Sequence, residues 1–239
     1  MTGAGASLDD LQVTINSFWN WRGSTNQPGG LALRTAEELQ VWMTVMRDWL
    51  PAPPADAVDL GTGQGFLALV MAACGHRVRG FDVAEAQLVR AREFAAETSN
   101  PPVFALGDAV EPPLEAASVD VVANRNILWT LLDPARAFRN WFAALRPGGR
   151  LIALHGIAHA GGSQIAPEAK ARDEAAYPEV VKARLLPIRR LPTVNPALPL
   201  IRAAGFSEVT VQRMEPIEHF EKRLENRDKT WLAITAVRR

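Results

Sequence analysis

Three alternating glycines behind an acid, Asp59-Leu60-Gly61-Thr62-Gly63-Gln64-Gly65, are the first residues in this chain whose spacing implies chemistry. An apolar run with Ala57, Val58 and Leu60 leads in, and an apolar helical stretch from Phe66 to Ala73 leads out. The pattern is a buried strand, a tight turn and a helix start. Glycine removes the Cβ where backbone must lie against a ligand. The free N–H groups of the helix start favour an anionic or polar ligand group. A second acid, Asp82, ends a short strand 17 residues beyond Gly65. In that register an acid grips a ribose diol through charge-assisted hydrogen bonds. Its structural alternative is a helix N-cap, because a helix over 84–97 follows at once.

Two kinds of cofactor use such a turn. A dinucleotide loop reads G-x-G-x-x-G/A over a pyrophosphate. Here the spacing is G-x-G-x-G, and Phe66 stands where the third small residue belongs. Asp59 would repel a pyrophosphate and accept a bond from an ammonium. S-adenosylmethionine (SAM) carries an ammonium and a carboxylate at its methionine end and no phosphate. The loop therefore suits SAM better than a nicotinamide dinucleotide.

Four stretches carry a family resemblance: VDLGTGQG (58–65), VRGFDVAEAQLVRAREFA (78–95), FALGDAVEPPLEAASVDVVANRNILWTLLDPARAF (104–138) and LRPGGRLIALHG (145–156). IRAAGFSEVTV (201–211) is a looser match. On these residues the chain resembles the class I SAM-dependent methyltransferases. Within them it is similar to the small-molecule branch of menaquinone/ubiquinone-type and secondary-metabolite enzymes. The resemblance implies an α/β fold: a Rossmann-like, doubly wound, seven-stranded sheet with a C-terminal antiparallel strand pair and helical or loop lid segments. It implies that Asp59, Gly61 and Gly63 hold the methionine end and Asp82 the ribose, with Thr62 and Val83 also on the cofactor. Gly107, Asp108 and Ala109 would flank the adenine, Asp108 accepting from its exocyclic amine. Asn124 and Arg125 would pass beside the methionine portion. Relatives often carry His where Asn126 stands, so no general base is expected at that point.

The elements that must position these residues alternate as a doubly wound sheet requires. Thr35 and Glu38 form a capping box for a helix running to about Leu50, whose Val41, Trp42, Val45, Met46 and Trp49 recur at helical spacing as core. Strands are predicted at 56–60, 77–81, 103–106, 119–124 and 150–154, and helices at 65–73, 84–97, 134–145 and 196–204. Asp133-Pro134 supplies an N-cap and first helical residue. Residues 208–214 and 230–237 read as the closing antiparallel pair. One domain is expected, with 1–50 as a helical lid, 51–156 as the SAM-binding core, 157–194 as a substrate-covering insertion and 195–239 as the closing helix and strands.

The acceptor side falls to residues above the carboxyl ends of the strands. Trp19 and Trp21 near the N-terminus, Trp129 after strand four, and His159 and Tyr177 in the insertion are candidate substrate contacts. Transfer from a sulfonium needs alignment and exclusion of water above all. A base matters where the acceptor is protonated at neutral pH. His155, ending strand five, is the candidate base, with a buried structural histidine as the alternative.

Composition excludes other classes. Lys+Arg and Asp+Glu are 26 each, so no net field draws a nucleic acid or an acidic membrane. Asn124-Arg125-Asn126-Ile127 stands where base-flipping amino-methylating enzymes carry Asn/Asp-Pro-Pro-Tyr/Phe. Cys74 is the only cysteine, which leaves no intramolecular disulfide, and no metal is expected. No apolar run approaches the roughly 18 residues of a membrane span, and MTGAGASLDD lacks the apolar core of a secretory signal. A cytoplasmic location is expected. The expected activity is methyl transfer from SAM to a small, aromatic or heterocyclic metabolite at N, O, S or C. A non-catalytic SAM-binding sensor or scaffold is the rival, and an NAD(P)-dependent oxidoreductase the third reading.

Overall fold

The computed structural model describes residues 8–24, 35–158, 185, 186, 188, 193–225 and 229–239. The strands are β1 (Asp56–Leu60), β2 (Arg77–Asp82), β3 (Val103–Leu106), β4 (Val119–Arg125), β5 (Leu145–Ala158), β6 (Ser207–Arg213) and β7 (Lys229–Val237). They form one sheet in the order β3-β2-β1-β4-β5-β7-β6. β1 to β5 run parallel, and β7 lies antiparallel to both β5 and β6. The order reverses between β1 and β4, which are paired through Asp59 and Ala123. In open α/β sheets that reversal opens a crevice at the carboxyl ends of the strands. The glycine turn leaves β1 at this place.

Parallel strands are buried on both faces and so read as near-continuous apolar runs. Ala57, Val58 and Leu60 are fully buried for this reason. One face is covered by α2 (Ala36–Arg47), α3 (Phe66–Ala73) and α4 (Glu85–Ala95), whose Met46, Phe66, Leu67 and Leu88 pack on Ala57, Val121 and Ile152. The other is covered by α5 (Pro134–Ala144) and α6 (Leu198–Ala203), with Phe138, Trp141 and Ile201 against Val58, Val122 and Leu151. The Thr35 hydroxyl accepts the Glu38 N–H at 3.0 Å, as its capping box predicts. Asp133 accepts from the Arg136 N–H at 2.9 Å, with Pro134 in the first turn.

A helix over Leu8–Ser24, α1, lies outside these two layers. Its Leu11, Ile15 and Phe18 pack with Leu132 in a small cluster of their own. α1 rests on the first turn of α4. A Cβ on Gly23 would stand 2.7 Å from the Gln87 nitrogen, so only glycine permits this approach. The residue before α4 is Ala84, which cannot cap it, and Asn20 of α1 does so instead, its Oδ1 accepting from the Ala86 N–H at 3.3 Å.

Three elements differ from the sequence reading. β5 begins at Leu145 rather than 150, because Pro147-Gly148-Gly149 stays within the strand and a bulge lets Val119 pair with Leu145. The helix expected over 196–204 is a 3₁₀ turn, Asn195–Ala197, followed by the short α6. A further helix, α7 (Glu215–Glu225), joins β6 to β7 and buries Ile217 and Phe220. Its acidic first turn and basic last turn suit the helix dipole and are readable from sequence.

Candidate functional site

Gly61 and Gly63 both hold positive φ, 65° and 54°, where a side chain is strained. Their surroundings differ. A Cβ on Gly61 would meet Ile127 Cγ2 at 2.3 Å, so this glycine, itself on the cavity wall, also admits the segment after β4. A Cβ on Gly63 would meet nothing within 4 Å and would project into open space. That space belongs to a cavity of about 850 Å³ when its open mouth is included.

Asp59 does not stand on the cavity wall. It is 1% exposed, and its Oδ2 accepts from the Thr62 hydroxyl at 2.7 Å and the Ala68 N–H at 3.1 Å. Its Oδ1 has no partner. Ala68 is in the first turn of α3, so the chain's own carboxylate occupies the anion seat at that helix start. Burial raises the Asp59 pKa to about 7, opposed by the Thr62 bond and the positive charge of Arg125. Thr62 is likewise buried off the wall, spent on Asp59 and on the bond from its N–H to the Phe81 carbonyl at 2.9 Å. Direct contact of Asp59 and Thr62 with the methionine end is therefore corrected to a brace beneath the loop.

Asp82 stands two residues before the N-cap position of α4 and holds the backbone on both sides of the crevice rather than capping the helix. Its Oδ1 accepts from the Ala84 N–H at 3.0 Å, and its Oδ2 from the Gly63 N–H at 2.8 Å. Burial pushes its pKa up, and the backbone N–H groups that it accepts from pull it down. It also stands on the cavity wall with Val83. Gly107, Asp108 and Ala109 follow on that wall, and the Asp108 side chain turns back to the Val110 N–H at 2.8 Å.

The alternation of β4 separates Asn124 from Arg125. Arg125 lies on the α3 face with its guanidinium 3.9 Å above the Phe66 ring. Trp42 stands edge-on to Phe66 at 5.0 Å and to Trp231 at 5.2 Å, which completes an aromatic bed beneath the cation. The bed sets one positive charge on the cavity wall that also carries the Asp82 carboxylate. Asn124 shares the α5 face with Val122, fully buried and off the wall, which corrects the expectation that it borders the cofactor.

His155 is on that same face, 5% exposed and off the wall, and burial lowers its pKa from 6.5 to about 4. It is a neutral, enclosed imidazole, and its position does not support direct proton abstraction in the cavity. Asn126 is on the wall in a left-handed conformation, φ 62°, which asparagine tolerates better than most residues. Its Oδ1 accepts from the Gly156 N–H at 2.8 Å and ties β5 to the end of β4.

Trp19 and Trp129 meet at the wall, ring centroids 6.2 Å apart. Trp21 packs on Phe18 at 6.1 Å instead and does not line the cavity, because its position on α1 points away from the Trp19 face. His159 and Tyr177 lie outside the described residues. Sequence reasoning missed Gln12 and Ile15, which share the Trp19 face of α1 at spacings of three and four. It also missed Gln87, buried in the first turn of α4 with its Oε1 unpartnered, and Thr130 and Leu131 after β4. Among the described residues no cluster of His, Cys, Asp or Glu could hold a metal ion, and no helix is long and apolar enough to cross a membrane.

Comparison with known proteins bears on the fold and the family. Residues 58–153 match the family model described as a methyltransferase domain. A probable S-adenosylmethionine-dependent methyltransferase of Mycolicibacterium smegmatis is 38% identical over 96 residues, 39% of this chain and 35% of the relative. The chain thus spans about a third of that relative's length. A ubiquinone/menaquinone biosynthesis C-methyltransferase of Roseobacter denitrificans is 27% identical over 194 residues, 73% of this chain and 76% of that one. The geranyl diphosphate C-methyltransferase of Streptomyces coelicolor, solved with Mg2+, geranyl diphosphate and S-adenosyl-L-homocysteine, superposes with a TM-score of 0.64. It covers 98% of this chain and 100% of that one at 14% identity, a likeness of fold. By its glycine turn, its strand order and these matches, the chain is similar to the class I SAM-dependent methyltransferases, with residues 58–153 matching their methyltransferase domain.

Proposed function

We propose that this chain transfers the methyl group of SAM to a small, neutral, aromatic or heterocyclic acceptor. One observation carries the choice of cofactor. The anion seat at the start of α3 is already filled by Asp59, while Arg125 and Asp82 present opposite charges into one cavity. A pyrophosphate would meet a carboxylate at its usual seat. A zwitterion with a ribose meets a cation, a carboxylate and a glycine floor that a Cβ would fill.

Arg125 is suited to the methionine carboxylate, Asp82 to the ribose hydroxyls, and Asp108 with Gly107 and Ala109 to the adenine edge. Bound SAM supplies an activated methyl electrophile. The chain's own residues then have to hold the acceptor in line and keep water out. Trp19 and Trp129 offer it an aromatic corner, with Ile15 and Leu131 as apolar walls. No histidine lines the cavity among the described residues. This favours acceptors that are nucleophilic without a protein base, such as weakly basic ring nitrogens or acidic hydroxyls and enols. The segment 157–194 is proposed to complete the acceptor side within a single domain, and a cytoplasmic setting without nucleic-acid partners belongs to the same reading. Calorimetry with S-adenosylhomocysteine (SAH) and SAM, then SAH release across a panel of small aromatic acceptors, tests the proposal. SAM binding without transfer to any acceptor would favour the sensor or scaffold, and failure to bind SAM would end both.

A further inference from the structure

We propose that Asn124 and His155 form an acceptor subsite on the α5 face of the sheet, one that takes a neutral, planar ligand edge carrying a hydrogen-bond donor beside an acceptor. The inference rests on the methyl-transfer reading and names how its acceptor is recognised.

β4 and β5 are paired in register through Asn124 and Ala153, and His155 is two residues beyond Ala153 on the same face. The two side chains thus sit on adjacent strands at the carboxyl edge of the sheet, where ligands collect in this architecture. Asn124 is completely buried, and neither its Nδ2 nor its Oδ1 has a partner. His155 Nδ1 is also buried without one. Buried polar atoms in native proteins are nearly always paired. Three orphans on two neighbouring positions, beside a cavity that must hold a substrate, point to a partner that arrives from outside.

The chemistry of the atoms defines that partner. The amide donates through Nδ2 and accepts through Oδ1, and the imidazole nitrogen does either according to its tautomer. Both groups are uncharged at neutral pH, and a charged ligand edge would be desolvated there without a counter-charge. A lactam, a carboxamide or a hydroxyl beside a ring carbonyl has the matching edge. The subsite is joined to the cavity by Asn126, which lines the wall and holds Gly156, the residue after His155. In the conformation described, the apolar residues buried on the same face include Leu128, Leu186 and Ile188. The ligand edge has to displace whatever encloses the pair. A trapped water bridging the three atoms is the alternative.

The probe is salicylamide, a neutral ring with adjacent hydroxyl and carboxamide, titrated into the SAH-loaded full chain with 15N-labelled histidine. The imidazole resonances of His155, identified by their loss in His155→Leu, are expected to move. Asn124→Leu should weaken the probe about tenfold, the loss of one to two neutral hydrogen bonds. It should leave SAH affinity within about twofold and raise the Tm of the unliganded protein by about 2–4 °C, because an unpaired amide has left the core. Static His155 resonances up to the solubility limit of the probe would overturn the subsite, and this arm needs no variant to fold. Unchanged probe affinity in Asn124→Leu would overturn it too. So would a Tm that holds or falls, since the amide would then be satisfied by water. Loss of SAH binding by the wild-type chain would instead sink the methyl-transfer reading.

Discussion

Asp82→Asn separates a ligand-binding carboxylate from a structural brace, and the contacts give its size on both counts. In the wild type the two oxygens accept from two backbone donors, Gly63 and Ala84. An amide keeps one of these bonds and turns an NH2 group toward the other N–H. An unsatisfied buried donor costs about 1–3 kcal/mol. The side chain reaches the cavity, where solvent can serve the donor, and removing a buried charge returns some desolvation. The lower end applies, about 1 kcal/mol, or a Tm lower by about 2–4 °C. Cofactor affinity should suffer more. Bonds from ribose hydroxyls to a charged acceptor are worth about 1.5–3 kcal/mol, which weakens SAH binding about 10- to 150-fold. Calorimetry with SAH and a thermal melt of the same preparation give both numbers. A Tm that falls while the SAH dissociation constant stays within about twofold would show that Asp82 only clasps the loop to α4, and the ribose assignment would fail.

Gly61→Ala should destabilise the fold by about 1–3 kcal/mol, since its Cβ collides with Ile127 at 2.3 Å, whereas Gly63→Val should leave the fold standing and block SAH; thermal melts with and without SAH distinguish the two. Trp129→Ala should raise KM for an accepted substrate and leave SAH affinity within about twofold, as steady-state kinetics and calorimetry will show. The pH dependence of folding follows from buried groups of opposite sign, Asp59 and Asp82 raised and His155 lowered. Asp59 is raised from 3.8 to about 7, so the native state holds the extra proton and stability falls as pH climbs through that window. His155 is lowered from 6.5 to about 4, so the unfolded state holds the proton and stability rises with pH across that range. The two nearly cancel between about pH 4 and 6.5. Asp59→Asn should tilt the profile toward the His155 slope, giving urea midpoints that rise with pH more steeply than in the wild type over that interval; an unchanged slope in the variant would refute the assignment.

The parts of this site made by local chain were legible in the sequence. A strand ending in glycines and a second strand ending in an acid can hardly be arranged otherwise, and β1, β2 and their turns lie where the spacing put them. Depth within the turn was not legible. Asp59 lies too close in sequence to the first turn of α3 for spacing to show that the chain would use it on its own helix. Asn124 and Arg125 are neighbours in sequence, yet a strand's alternation sends them to opposite faces. A strict period-two count from Val122 would have shown this. Gln12, Ile15 and Trp19 share a helical face visible in the spacing, but that this face turns toward the cavity follows only from the Gly23 approach to α4, a contact between distant segments. Gln87 hides in an otherwise ordinary amphipathic helix and has no local signal.

The seating of α1 on α4 has a kinetic consequence. The helix that walls the cavity is docked on the turn directly after Asp82, through one side-chain cap and one glycine-sized gap. A spent cofactor that leaves on the α1 side, past Trp19 and Ile15, has to part that joint. Departure of the thioether product, more than bond making, should then govern throughput. A rapid-quench trace should show a first cycle of methylation outrunning every later one.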